Sequence, residues 1–216
     1  MSARCVRAGA AVLAFLVPGC AGESRPAVDS MAGTEHTATQ SEPLFEVDIW
    51  PGEGIPVIEA VRDSLPLLGA PRIGAPVTGT LTVRRGQPIE YDSSRYQTLA
   101  GVEVRVRAPT TISGSRIGPV RFLSIARYYS GADKDTVFDV APSTAVELLQ
   151  YRAEGTCFIR IDGDVVNAEA CPTFDTTRFA SSGEPRTLWW IRVRGQSATG
   201  WLLLSDSTAR AVRRTF

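Results

Sequence analysis

Few residues in this chain have the type and spacing to do covalent chemistry. A serine or cysteine nucleophile generally needs a histidine beside it to take its proton, and the one histidine, His36, lies in a polar stretch without patterned neighbours. Zinc catalysis fails on the same shortage, since no H-E-x-x-H or comparable ligand spacing occurs. Glycine-rich phosphate loops are missing too. Asp133, Asp135 and Asp139 form the densest carboxylate group, and a charge cluster in a turn-like segment reads as a solvated face. The expectation is a protein that is not an enzyme, with no catalytic residue, metal or cofactor. Recognition remains. From Trp189 to Arg194, strand alternation puts Trp189, Ile191 and Val193 on one face and Trp190, Arg192 and Arg194 on the other. That second trio presents an indole between two guanidinium groups, a surface suited to a carboxylated peptide or glycan. The competing reading has Trp190 covering a core edge with the arginines solvated. Twenty-three basic residues balance 23 acidic ones, which argues against a nucleic-acid partner.

The strand that carries this trio continues into a hairpin. Gly195 to Gly200 are small, polar and turn-forming, and Trp201 to Leu204 resume an apolar run. The stretch W-W-I-R-V-R-G-Q-S-A-T-G-W-L-L-L-S, 189–205, resembles the closing hairpin of bacterial SH3-like domains, in which a W-x-x-V-R strand runs through a short polar loop into a G-W strand. The resemblance implies a small β-barrel with a shallow, aromatic-lined groove for peptides or sugar rings.

Gly 19 and Pro 14, with short apolar runs between them, predict strands and turns throughout, hence an all-β fold. Strands are expected at Phe45 to Ile49, Val57 to Val61, Thr80 to Arg84, Ile89 to Tyr91 and Val102 to Arg107. In the second half they are expected at Ala145 to Tyr151, Thr156 to Ile161 and Asp164 to Asn167. Asp162-Gly163 supplies the positive φ angles of a two-residue turn, pairing Ile161 with Asp164, Ile159 with Val166 and Cys157 with Ala168. Residues 173–186 read as a long surface loop. Val104-Arg105-Val106-Arg107 and Gly118 to Ser124 echo Ile191-Arg192-Val193-Arg194 and Gly200 to Ser205. This repeat predicts two small SH3-like barrel units in tandem, at 44–130 and 131–216.

The amino terminus carries a targeting signal. Arg4 and Arg7 precede the apolar run Ala8 to Val17, too short for a permanent bilayer span. Val17-Pro18-Gly19-Cys20 resembles the lipobox of bacterial lipoproteins, which implies cleavage after residue 19 and lipidation of Cys20. Residues 20–43, polar and without apolar periodicity, predict a disordered tether reaching about 25–30 Å. Ala21-Gly22 after the cysteine resembles outer-membrane sorting in a two-membrane cell. With Cys5 lost in the signal and Cys20 lipidated, Cys157 and Cys171 remain. In an exported chain that pair reads as a disulfide, with a reactive or metal-binding pair as the alternative. Bridging them requires a bend near Glu169. The expected function is a non-catalytic lipoprotein of the cell envelope, held to the membrane by its lipid. It would bind peptidoglycan or an envelope protein through Trp190, Arg192 and Arg194; the alternatives are a scaffold without a small ligand and, behind that, a wall-modifying enzyme.

Overall fold

The computed structural model describes residues 42–48, 55–130, 133–196 and 198–212. The signal segment, Cys20 and the tether up to residue 41 lie outside them. Alternating burial organises the described residues into an all-β fold with one short helix and two curled seven-stranded sheets. In chain order the first strands are β1 (Phe45–Val47), β2 (Val57–Ala60), β3 (Ser64–Leu68), β4 (Val77–Thr82), β5 (Tyr91–Ala100), β6 (Val102–Val106), β7 (Thr110–Gly118) and β8 (Phe122–Leu123). After α1 (Ile125–Ser130) come β9 (Asp133–Val140), β10 (Val146–Tyr151), β11 (Cys157–Ile161), β12 (Asp164–Ala168), β13 (Phe179–Ser181), β14 (Arg186–Arg194), β15 (Thr199–Leu203) and β16 (Ala209–Val212).

The first sheet runs β4-β3-β15-β14-β5-β1-β8, the second β13-β6-β10-β11-β12-β7-β9, and β16 pairs with β2 as a separate ribbon. This order corrects the expected division at residue 131. Apart from β8, the first sheet draws on residues 45–100 and 186–203, whereas the second is built wholly from residues 102–181. One β unit is thus inserted into the other rather than following it. The repeat that suggested a tandem is not a structural one. β14 and β15 form the anticipated hairpin, with Trp190 opposite Leu203 and Arg194 opposite Thr199. By contrast β6 pairs with β10 and β13, and β7 with β12 and β9, so the first stretch makes no hairpin. Two amphipathic β segments share an alternation because each has one buried face, and alternation does not specify a partner.

Three apolar clusters hold this arrangement. Ile58, Leu65, Leu67, Ile191, Val193 and Leu202 fill the curl of the first sheet under β2 and β16. Val104, Val106, Leu148, Ile159 and Val166 fill the curl of the second. Phe45, Val47 and Leu123 of the first sheet meet Ile117, Leu149, Phe158 and Val165 of the second in a shared layer. β11 therefore buries both faces, Phe158 toward the layer and Ile159 toward its own curl. The curl of the first sheet closes on a side chain. Gln196, in the β14–β15 turn, accepts from Thr82 N–H through Oε1 at 3.2 Å and donates to Thr82 C=O through Nε2 at 3.0 Å. Gly200 makes that closure possible, because a Cβ there would stand 2.7 Å from Leu67 Cβ and 2.9 Å from Leu68 O.

The β11–β12 hairpin has the expected register throughout, from Cys157 opposite Ala168 to Ile161 opposite Asp164. Asp162 and Gly163 take φ angles of 48° and 97°, both positive as the two-residue turn demands. Beyond Ala168 the chain bends, with Glu169 N–H donating to Ser113 C=O and Cys171 N–H to Gly155 C=O at 2.7 Å. That bend brings Cys171 to a Cα–Cα distance of 5.2 Å from Cys157, and the two form a disulfide. Both half-cystines are buried. With the two cysteines 14 positions apart along the chain, replacing both by alanine is expected to remove about 2–4 kcal/mol of stability. The midpoint of urea unfolding at unchanged slope is the measure, and an unmoved midpoint would count against a stabilising bond.

Candidate functional site

The two-residue alternation of β14 places its side chains as anticipated. Ile191 and Val193 enter the curl, while Trp190 and Arg192 point to the outer face of the first sheet beside Arg95 of β5 and Trp201 of β15. Trp190 is nevertheless 0% exposed. The β3–β4 connection is drawn across this face, and Gln97 fastens it: Gln97 Nε2 donates to Pro71 C=O at 2.8 Å and to Glu46 Oε2 at 2.9 Å. Gln97 Oε1 accepts from Trp190 Nε1–H at 2.8 Å. Trp190 is a structural side chain under a loop, so the expected open trio of Trp190, Arg192 and Arg194 does not exist as one surface. Alternation reports the face a residue takes and is silent about a loop that later covers it.

The two arginines are exposed, and Arg192 is already engaged. Its Nε donates to Asp92 Oδ1 at 2.8 Å and its Nη2 to Asp92 Oδ2 at 3.1 Å. The hydrogen bonds from Arg192 hold the Asp92 carboxyl below its ordinary pKa and raise that of Arg192 in turn. Asp92 owes its position to an irregularity in the β14–β5 register between Arg192 and Val193, where Arg192 lies opposite Ser93 and Val193 opposite Tyr91.

What the outer face does present is a row displaced from Trp190 by one strand. Trp201, half-buried, is the cross-strand neighbour of Arg192. The Arg95 guanidinium lies 5.6 Å from the Trp201 ring centroid on one side and 4.7 Å from that of Phe122 on the other. Asp48 fixes the same guanidinium, accepting from Arg95 Nε at 2.8 Å, and Glu46 lies 3.6 Å from Arg95 Nη1. Beside this row opens a cavity of about 370 Å³ lined by Glu42, Glu46, Arg72, Arg95, Gln97 and Arg121 together with Pro43 and Pro71. Arg121 reaches Glu42 at 3.2 Å, a pair exposed on both sides. The Arg72 side chain makes no ion pair or hydrogen bond among the described residues. The cavity thus combines a preorganised, acid-held Arg95 with two arginines at its mouth, an arrangement that can grip a carboxylate while an apolar or sugar face lies on Trp201 or Phe122. Arg95, Arg72 and Arg121 were not legible as a site, because they come from three distant segments whose contact depends on the sheet order.

The two tyrosines of α1, Tyr128 and Tyr129, separate in role. Tyr128 packs on the layer between the sheets, 6.2 Å from Phe158 edge to face, and its hydroxyl accepts from Arg152 Nη1 at 2.8 Å. Tyr129 is 71% exposed. Among the described residues no three of His, Cys, Asp and Glu converge as a metal site would require. No helix among them is long and apolar enough to cross a membrane. Compared with protein-family models, curated proteins and solved structures, the chain matches none.

Proposed function

We propose that this chain is a non-catalytic lipoprotein of the bacterial cell envelope that holds a carboxylate-bearing ligand on the outer face of its first sheet. The ligand would be wall-derived peptide or glycan. Export and anchoring rest on the apolar run Ala8 to Val17 and on V-P-G-C ending at Cys20, with Ala21-Gly22 favouring the outer membrane where a cell has two. The Cys157–Cys171 disulfide agrees with an oxidising compartment. The single observation that carries the binding reading is the cavity beside the Trp201, Arg95 and Phe122 row, where Arg72 has no acid partner among the described residues. Arg192 contributes at the margin, behind Asp92.

Losing a charged hydrogen bond to a carboxylate costs about 1.5–3 kcal/mol, roughly tenfold or more in affinity. The double variant Arg72→Ala and Arg121→Ala is therefore expected to release from purified peptidoglycan sacculi at least about tenfold more readily than the parent chain while unfolding at the same denaturant concentration. Equal retention by the folded double variant would remove this face as the binding site. A scaffold without a small ligand is the second reading. It is favoured by the exposed apolar side chains Phe122, Ile125 and Tyr129, at 42%, 43% and 71% exposure, which lie close together in sequence. For a scaffold, neither form would bind sacculi and a defined envelope protein would be recovered after cross-linking.

A further inference from the structure

α1 is fastened to the second sheet by a cluster built around Arg152. Phe158 of β11 and Asn167 of β12 are register partners, so their side chains share one face of that sheet. Arg152 follows β10 at the turn into β11, where its N–H donates to Thr156 C=O at 2.9 Å. Its guanidinium carbon lies 4.9 Å from the Tyr128 ring centroid and 5.2 Å from that of Phe158. Arg152 Nη1 donates to the Tyr128 hydroxyl at 2.8 Å and to Asn167 Oδ1 at 3.4 Å, and Asn167 Nδ2 donates to the same hydroxyl at 3.2 Å. Every one of these partners is neutral. No carboxylate pairs with Arg152 among the described residues, although its side chain is half-buried.

The hydrogens of this cluster can be assigned one by one. Both hydrogens on Nη1 are spent on Tyr128 and Asn167, which leaves the edge of the guanidinium formed by Nε and Nη2 without an acceptor among the described residues. Elsewhere in this chain that edge holds carboxylates. Arg192 grips Asp92 through Nε and Nη2 at 2.8 and 3.1 Å, and Arg95 grips Asp48 through the same pair at 2.8 and 3.4 Å. Tyr128 adds a further donor. Its hydroxyl already accepts from Arg152 and Asn167, so its own hydrogen is left to give away. A half-buried cation among neutral partners carries a desolvation cost that an incoming anion offsets. One positive charge with a planar fork matches the charge and the two oxygens of a carboxylate. Tyr129 packs edge to face on Tyr128 with centroids 5.1 Å apart and is itself 71% exposed, which leaves an aromatic surface at the margin of the cluster. We propose that Arg152, Tyr128 and Asn167 form a binding site for a small carboxylate, its two oxygens on Nε and Nη2 of Arg152 and its apolar or ring body against Tyr129. This site lies on the second sheet and does not depend on the reading given for the outer face of the first.

The test uses the full chain carrying Arg72→Ala and Arg121→Ala, so that the first-sheet cavity does not add to the signal. The probe is benzoate at constant ionic strength, read at the Nε–H resonance of Arg152 by nuclear magnetic resonance. Benzoate is expected to move that resonance saturably, and the neutral isostere benzamide to need at least about tenfold more for the same movement. Arg152→Lys keeps the charge and loses the fork, so benzoate affinity followed at the Asn167 side-chain amide should fall at least about tenfold. Tyr129→Ala, at an exposed position, should weaken benzoate several-fold. If Arg152→Lys does not fold, the Arg152 resonance of the chain that retains it still decides. No saturable movement with benzoate, an equal response to benzamide, or undiminished affinity in folded Arg152→Lys would each overturn the proposal. Tighter binding of phenyl phosphate than of benzoate would overturn the carboxylate assignment, and unchanged affinity in Tyr129→Ala would overturn the placement of the ligand's body.

Discussion

Replacing Trp190 by alanine is expected to lower stability by about 3–5 kcal/mol, the range for removing a fully buried large aromatic. Two losses combine at this position. The ring is completely sequestered beneath the β3–β4 connection, so its removal leaves a cavity in the outer face of the first sheet. Its indole N–H also serves Gln97, a side chain only 3% exposed, and an orphaned acceptor there adds a desolvation penalty. Trp201→Ala gives the contrast. That ring is partly open and stacks on Arg95, so the substitution should cost markedly less stability while weakening whatever ligand lies on the row. Urea unfolding of both variants decides the matter. A cost at Trp190 no greater than at Trp201 would mean that the ring is not sealed by the loop.

The contrast between these two tryptophans shows what was readable in the sequence. Local alternation correctly assigned faces to Trp190, Ile191, Arg192 and Val193, because a strand's two-residue period is a property of the backbone alone. Asp162-Gly163 likewise announced its hairpin and register, since a two-residue turn leaves only one pairing. Exposure was another matter. Whether an outward ring meets water depends on Pro71 and its loop, over a hundred residues away, and nothing near Trp190 encodes that. The strands Ser64–Leu68 and Thr110–Gly118 went unread because Pro66 interrupts the first and Gly114 the second. Pro66 is tolerated opposite Thr80 because on its other side β3 pairs with β15 only through Leu68 and Trp201, leaving no ladder bond for residue 66 to donate. Gly114 is required because a Cβ would stand 2.5 Å from Asn167 O. The loop expected at 173–186 contains β13, three residues long and paired only with β6. The nested order of the two sheets is the deepest of these non-local facts, and it also explains why Arg72, Arg95 and Arg121 converge.

Phe158→Ala is expected to cost a further case of about 3–5 kcal/mol, and its readout distinguishes a nested molecule from two tandem units. Phe158 is fully buried on β11 and meets Phe45 edge to face at 5.3 Å and Tyr128 at 6.2 Å. It therefore belongs by sequence to the second sheet and by contact to the layer that joins both. Trp189, Trp190 and Trp201, three of the four tryptophans, all lie in the first sheet. Their fluorescence follows unfolding of that sheet, while far-ultraviolet circular dichroism follows both. The inserted segment joins the first sheet through the links between β5 and β6, between β7 and β8, from β8 through α1 to β9, and between β13 and β14, and Thr98 Oγ1 donates to Leu149 C=O at 2.9 Å. Loosening the shared layer should therefore destabilise the sheet that carries no mutation. Both signals are expected to move together to a lower urea concentration and to remain one transition. A tryptophan signal that stays in place while the dichroism divides into two steps would show that the sheets unfold independently, and the cooperative reading of the inserted unit would fail.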